Sequence, residues 1–179
     1  MCAQYKEEKH IKHCLANALF KLMKKYPFDD ITINEICYEA HIARATYYHY
    51  ANGKHGKEDL LVFKLKDDYN KYLDHHNKQM GDDILDYVYE SKELFTLLQR
   101  NKLSNVIISF LKYANQNDSL KAISSYLYAY ANYSYLGVIY QWAKDGFQLT
   151  PTEITDAISA AHKEAFLNFI KNMSDNPHT

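Results

Sequence analysis

Apolar residues recur at three- and four-residue steps through most of the chain, a period that predicts helices rather than strands. Over residues 6–26, Ile11, Leu15, Ala18, Leu19, Leu22 and Tyr26 fall on one stripe. Pro27 ends that helix and the Asp29–Asp30 pair follows as a turn. Thr32 and Glu35 stand in the spacing of a capping box, in which hydroxyl and carboxylate each satisfy a backbone N–H of the other. The short helix it starts carries Ile33, Ile36, Cys37 and Ala40 on one side and ends near His41. After a tight break, a third short helix spans about 43–50. Residues 51–56 hold two of the five glycines and read as a loop.

Lys57-Glu58-Asp59 opens a longer helix to about residue 77, with Leu60, Leu61, Phe63 and Leu65 as its apolar positions. Acidic residues in a first turn suit the positive end of the helix dipole. A helical stretch follows from Asp82-Asp83, with Ser91 as a candidate cap inside it, and another spans about 103–116. Between 119 and 145, Tyr126, Tyr128 and Tyr130 alternate as in a strand. Yet Tyr126, Tyr130, Tyr133, Gly137 and Tyr140 also fit a helical stripe, and the lack of turn signals favours one helix, closed by Gly146. Thr150-Pro151-Thr152-Glu153 starts the last helix, which continues to about 172. Ser174 to Thr179 reads as a disordered tail. The expected fold is all-α, with an N-terminal unit over 1–66, a helical regulatory and dimerisation unit over 67–173, and the tail at 174–179.

Composition narrows the function. At 47% hydrophobic residues over 179 positions the chain has enough apolar material for a core. No run of about 18 apolar residues would span a membrane. The polar first residues lack a signal core, so a cytoplasmic location is expected. Three cysteines, Cys2, Cys14 and Cys37, do not form a disulfide framework. The net charge of -1 is unevenly spread. Residues 1–66 hold 11 Lys and Arg against 8 Asp and Glu, a net +3; residues 67–179 hold 10 against 14, a net -4. Phosphate attraction is local, so a basic N-terminal end suits nucleic acid even on a neutral chain.

Two short helices around a tight break, braced by a longer preceding helix, describe a DNA-binding helix-turn-helix. The second must present donors and aromatics outward to enter a major groove, and Arg44, Thr46, Tyr48 and His49 are of that kind. At these residues the chain resembles the tetracycline-repressor (TetR) family. The matching positions are Thr32, Ile36, Cys37, Ala40, Ile42, Thr46, Tyr48, Tyr50, Lys57, Glu58 and Leu60, with Ala16 to Phe20 in the preceding helix. The resemblance implies a homodimer on a palindromic operator in double-stranded DNA. It implies that Thr32 touches phosphate and that Arg44, Ala45 and Thr46 lie near base edges. Tyr48, His49 and Tyr50 would meet phosphates or bases, Tyr47 would face the domain core, and Lys54 or Lys57 would reach the backbone. The chain departs from the pattern at Ala51, usually phenylalanine, and at Ala43, usually a capping serine; the loop before Lys57 is about three residues longer. The run Leu136 to Gly146 resembles the branch of regulators similar to the activator of dihydroxyacetone kinase. That branch implies that the last two helices build the dimer as a four-helix bundle.

In many members the C-terminal domain binds a small inducer. Tyr126, Tyr130, Tyr133 and Trp142 are the candidates for lining such a pocket; packing in the core or dimer interface is the plainer role for each. His10, His13 and Cys14 lie at i, i+3 and i+4, yet a solvated helix face explains them better than a metal, as it does Asp74-His75-His76. No phosphate loop, nucleophile elbow or H-E-x-x-H motif is present, so neither an enzyme nor a cofactor is expected. Two rivals differ from an inducer-controlled regulator. A partner-regulated or ligandless adaptor would have a C-terminal region that closes no cavity. A helical small-molecule or metal-binding protein without a DNA role would hold stoichiometric metal.

Overall fold

The computed structural model describes residues 2–51, 56–81, 83–115 and 125–175; in the helices, the side chains of 2–6, 162 and 165–175 fall outside that description. Among the described residues there are α-helices, one 3-10 turn and no strand. The helices are α1 (Cys2–Met23), α2 (Ile33–Ala40), α3 (Arg44–Tyr50), α4 (Lys57–His76), α5 (Ile84–Glu90), α6 (Lys92–Arg100), α7 (Ser104–Ala114), α8 (Ser125–Lys144) and α9 (Pro151–Asp175). The 3-10 turn is Phe28–Asp30. The candidate loop lysine Lys54 and the tail beyond Asp175 lie outside the described residues.

Local chemistry fixes most boundaries. Thr32 Oγ1 accepts from Glu35 N at 3.2 Å while Thr32 N donates to Glu35 Oε2 at 2.8 Å, so the capping box starts α2. The same reciprocal pair, Thr150 and Glu153, starts α9. Ser91 takes the expected place before α6, but its side chain makes no capping bond. At the end of α4, Asn77 turns left-handed (φ 53°) and Lys78 N returns to Leu73 O at 2.9 Å, closing the orphan carbonyls. Gly146 (φ 72°) does the corresponding work after α8, with Phe147 N donating to Trp142 O.

The tyrosine run that alternates like a strand is helical where it is described. Asn132, Ile139, Trp142 and Ala143 are its buried residues, and this spacing keeps one helical face inward. Packing explains why helix wins: α8 lies against α6 and α7, a contact for which a 3.6-residue stripe is required.

α4 connects α1 and α7, both of which pack on it. Leu60, Leu61, Leu65, Tyr69 and Leu73 are buried along it. Its C-terminal part meets an aromatic core in which Tyr69, Tyr87 and Phe110 have ring centroids 5.0–5.5 Å apart. Tyr87 satisfies its buried hydroxyl by donating to Leu65 O at 3.1 Å.

Candidate nucleic-acid interface

α2 and α3 are short because their ends are chemically marked. His41 takes a left-handed turn (φ 55°) after α2, and its N–H points back to Cys37 O and Tyr38 O. Ala43 then precedes α3 in an extended conformation and offers no side-chain cap. Buried Ile36, Cys37 and Tyr47 fix both helices against α1, so their remaining faces stay available. Burial also pushes the Cys37 thiol up, consistent with a packing residue.

On α3 the structure separates the four aromatics. Tyr47 is buried, and its hydroxyl has no hydrogen-bond partner among the described residues. Tyr48 is 43% exposed and meets the Tyr47 ring edge-on, with centroids 5.5 Å apart. His49 is exposed and lies edge-on to the half-buried Tyr50 at 4.5 Å. Arg44, one turn before Tyr48, donates from Nη2 to Tyr48 Oη at 3.3 Å, its guanidinium carbon 5.8 Å from that ring centroid. Two donors of different reach are thus held side by side at the exposed start of α3. Ala45 is exposed beside them and Thr46 is half-buried.

Thr32 is exposed at the start of α2, but its hydroxyl is engaged with Glu35, donating to Oε2 at 2.7 Å. The Glu35 carboxyl is held below the usual range by the Thr32 backbone N–H first and its hydroxyl second. Lys57 is drawn inward: Nζ donates to Phe28 O at 2.6 Å and Ile31 O at 2.7 Å and lies 4.4 Å from the Phe28 ring centroid. Burial lowers its pKa. Tyr38 is a residue that the sequence reading passes over. It stands 82% exposed on α2, and its position off the stripe of Ile33, Ile36, Cys37 and Ala40 is the signal for it.

The four pocket candidates do not converge. Trp142 is 3% exposed, stacks on Tyr89 and donates from Nε1 to Leu149 O at 3.0 Å. Tyr126, Tyr130 and Tyr133 are exposed on α8. Trp142 borders a groove of about 440 Å³ between α8 and α9, and Tyr130 a neighbouring one of about 540 Å³. Val138 and Ile158 line both.

His13, Asp67 and Asp68 bring potential metal-binding atoms within 4.8 Å of one another. Lysines occupy the carboxylates: Lys9 Nζ is 2.7 Å from Asp67 Oδ1, Lys71 Nζ 2.6 Å from Asp67 Oδ2, and Lys64 Nζ 2.9 Å from Asp68 Oδ2. A field of three ammonium groups suits an α1–α4 ion network better than a cation site. Cys14 Sγ lies 3.7 Å from His10 Nε2, apart from that group.

Compared with known families, residues 76–164 match TetR_C_8, the transcriptional regulator C-terminal region. No curated protein and no solved structure matches the chain. The matched residues take in α5 to α8 and part of α9, and stop short of α2 and α3.

Proposed function

Since the chain is a TetR-type transcriptional regulator by its C-terminal region, we propose that α1–α3 bind an operator in double-stranded DNA and that the protein works as a homodimer. One observation carries the DNA reading: α3 buries Tyr47 and leaves Arg44, Ala45, Tyr48 and His49 outward, the division a recognition helix needs. Arg44 supplies a planar donor for a guanine edge, and Tyr48 a hydroxyl for phosphate or base. Thr32 holds α2 through its cap and offers its exposed edge to the backbone. Tyr50 supports His49 at the end of α3. Lys54 is the lysine left for a phosphate contact, since Lys57 is engaged internally.

The dimer reading rests on α8 and α9. Over its described side chains α9 is exposed, apart from half-buried Pro151, Ile154 and Ile158. A long helix with so little of its own chain against it needs an outside partner. α8 adds Tyr126, Leu127, Tyr130 and Tyr133 as exposed apolar surface. A second copy of the same two helices would cover both faces with two-fold symmetry. Two recognition helices would then read half-sites one or more helical turns apart, about 34 Å per turn.

A second reading concerns control. The aromatic cluster of Tyr69, Tyr87, Phe95 and Phe110 fills the middle of the regulatory unit, and the grooves along α8 and α9 are open. That favours regulation by a protein partner over a small molecule enclosed in the core.

The test is selection of binding sites from random duplexes with the full chain, followed by titration at several salt concentrations. The expected result is an enriched inverted repeat whose affinity falls steeply with salt. Failure to enrich any sequence would overturn the operator reading.

A further inference from the structure

We propose that Asn101 and Lys57 are positioning residues for DNA binding: together they clasp the turn that aims the helix-turn-helix and tie it to α6 of the regulatory unit. This rests on the DNA-binding reading above.

The turn between α1 and α2 has backbone groups to satisfy. Phe28 starts the 3-10 turn, so its N–H has no partner within that turn. Phe28 and Ile31 are both buried, which makes unpaired groups there costly. Apart from the turn's own bond, Ile31 N to Phe28 O at 3.3 Å, the partners come from outside the N-terminal helices. Asn101 Oδ1 accepts from Phe28 N at 2.8 Å. Lys57, the first residue of α4, takes the carbonyls of Phe28 and Ile31. The turn is held on its donor side by α6 and on its acceptor side by α4.

The arm from α6 is stiff. Asn101 caps that helix, and its Nδ2 donates to Leu97 O at 2.8 Å, so the amide is anchored at its other end to α6 itself. A displacement of α6 is therefore passed to Phe28 N rather than absorbed by a free rotor. α6 also packs on α8, the helix carrying the exposed tyrosines. On the other side, Thr32 follows Ile31 directly and starts α2 through its capping box. The physical chain runs α8, α6, Asn101, Phe28, Ile31, Thr32, α2. A ligand or partner on α8 and an operator on α3 would both bias the seating of this one turn, which is what coupling between two sites requires. The Lys24–Glu93 pair also joins the turn after α1 to α6, at 2.7 Å, but both side chains are well exposed and such a pair contributes little.

Coupling is reciprocal, so operator binding must be felt in α6. The experiment is amide hydrogen exchange on the full chain, wild type and Asn101→Ala, free and saturated with a selected duplex. In the free protein, exchange at residues 28–36 is expected to rise about fivefold in Asn101→Ala, the order for one lost hydrogen bond, while α7 keeps its protection as a check on folding. With duplex, wild type is expected to slow exchange in α2, α3 and α6; Asn101→Ala is expected to slow α2 and α3 alone. A merely structural asparagine would leave the response of α6 to DNA intact. Unchanged exchange at 28–36 in the free variant, or equal slowing of α6 in both proteins, overturns the proposal. If no duplex slows α2 and α3 in wild type, the DNA reading fails instead, and the free-protein comparison still decides whether Asn101 grips the turn.

Discussion

Adjacent tyrosines on α3 have opposite environments and should respond oppositely to substitution. The Tyr47 ring fills the position against the domain core, but its buried hydroxyl lacks a partner among the described residues. Burial pushes that hydroxyl's pKa up. Removing an unsatisfied buried hydroxyl while keeping the ring relieves desolvation at no packing cost. Tyr47→Phe is therefore expected to stabilise the fold by up to about 1 kcal/mol, read as a shift of the denaturant midpoint with unchanged slope. Tyr48 has its ring half outside and its hydroxyl on Arg44. Tyr48→Ala should leave the melting temperature and the oligomeric state unchanged and weaken duplex binding at least tenfold, the order for one good specific contact. Unchanged affinity in that titration would remove α3 from the interface. Legibility at this scale is uneven. Tyr47 and Cys37 sit inside as their register requires, whereas the inward reach of Lys57 is invisible in the sequence. Its partners are backbone carbonyls 26 and 29 positions away, and carbonyls carry no residue identity.

Among the elements, the break between α2 and α3 and the seam between α1 and α4 are the places where chemistry is testable. His41 occupies a left-handed conformation that costs an L-residue about 1–2 kcal/mol and glycine almost nothing. His41→Gly is expected to raise the melting temperature by a few degrees, with glycine's larger unfolded-state entropy offsetting part of the gain. A drop would show that the imidazole contributes more than the turn costs. At the seam, Asp67 is 5% exposed. Burial raises its pKa, but hydrogen bonds from Lys71 and Lys9 outweigh this and hold it below the usual range. His13, 3.4 Å from Asp67 Oδ2, is lowered from 6.5, first by burial and then by the Lys71 charge; Asp67 and Asp68 oppose this, and Lys64 adds to it. The folded state thus prefers the neutral imidazole. Its contribution is complete above the ordinary value and is lost as pH falls through that value toward the lower folded one. The melting temperature should fall between about pH 7 and pH 5, and His13→Asn should flatten that part of the profile. An identical profile in the variant would assign the acid sensitivity to other groups.

At the scale of the whole molecule, assembly has a direct readout. If α8 and α9 meet their copies across a two-fold axis, a charge placed on that face must be buried without a partner. Tyr130→Asp, on exposed surface in the single chain, should then convert the sedimenting dimer to monomer. It should also weaken binding to a two-half-site duplex far more than to a single half-site, since linked half-sites owe affinity to effective concentration. A variant that sediments as the wild type would move the interface elsewhere.

The sequence by itself determined the helices and the place of the short α2–α3 pair. Both rest on local physics: the capping boxes at Thr32 and Thr150, the stop at Pro27, the left-handed close at Gly146, and stripes whose period matches one buried face. Even the tyrosine run over 126–140 is settled by period once the neighbours are helical. Tertiary structure alone decided what depends on distant pairs. It drew Lys57 into the α1–α2 turn, set Asn101 on Phe28 across 73 positions, placed lysines on Asp67, and buried Trp142 while leaving Tyr126, Tyr130 and Tyr133 outside. The physical reason is the range of the forces involved. Caps and periodicity are written within a turn or two of chain, whereas a buried donor takes whichever acceptor the packing of separate helices brings within about 3 Å.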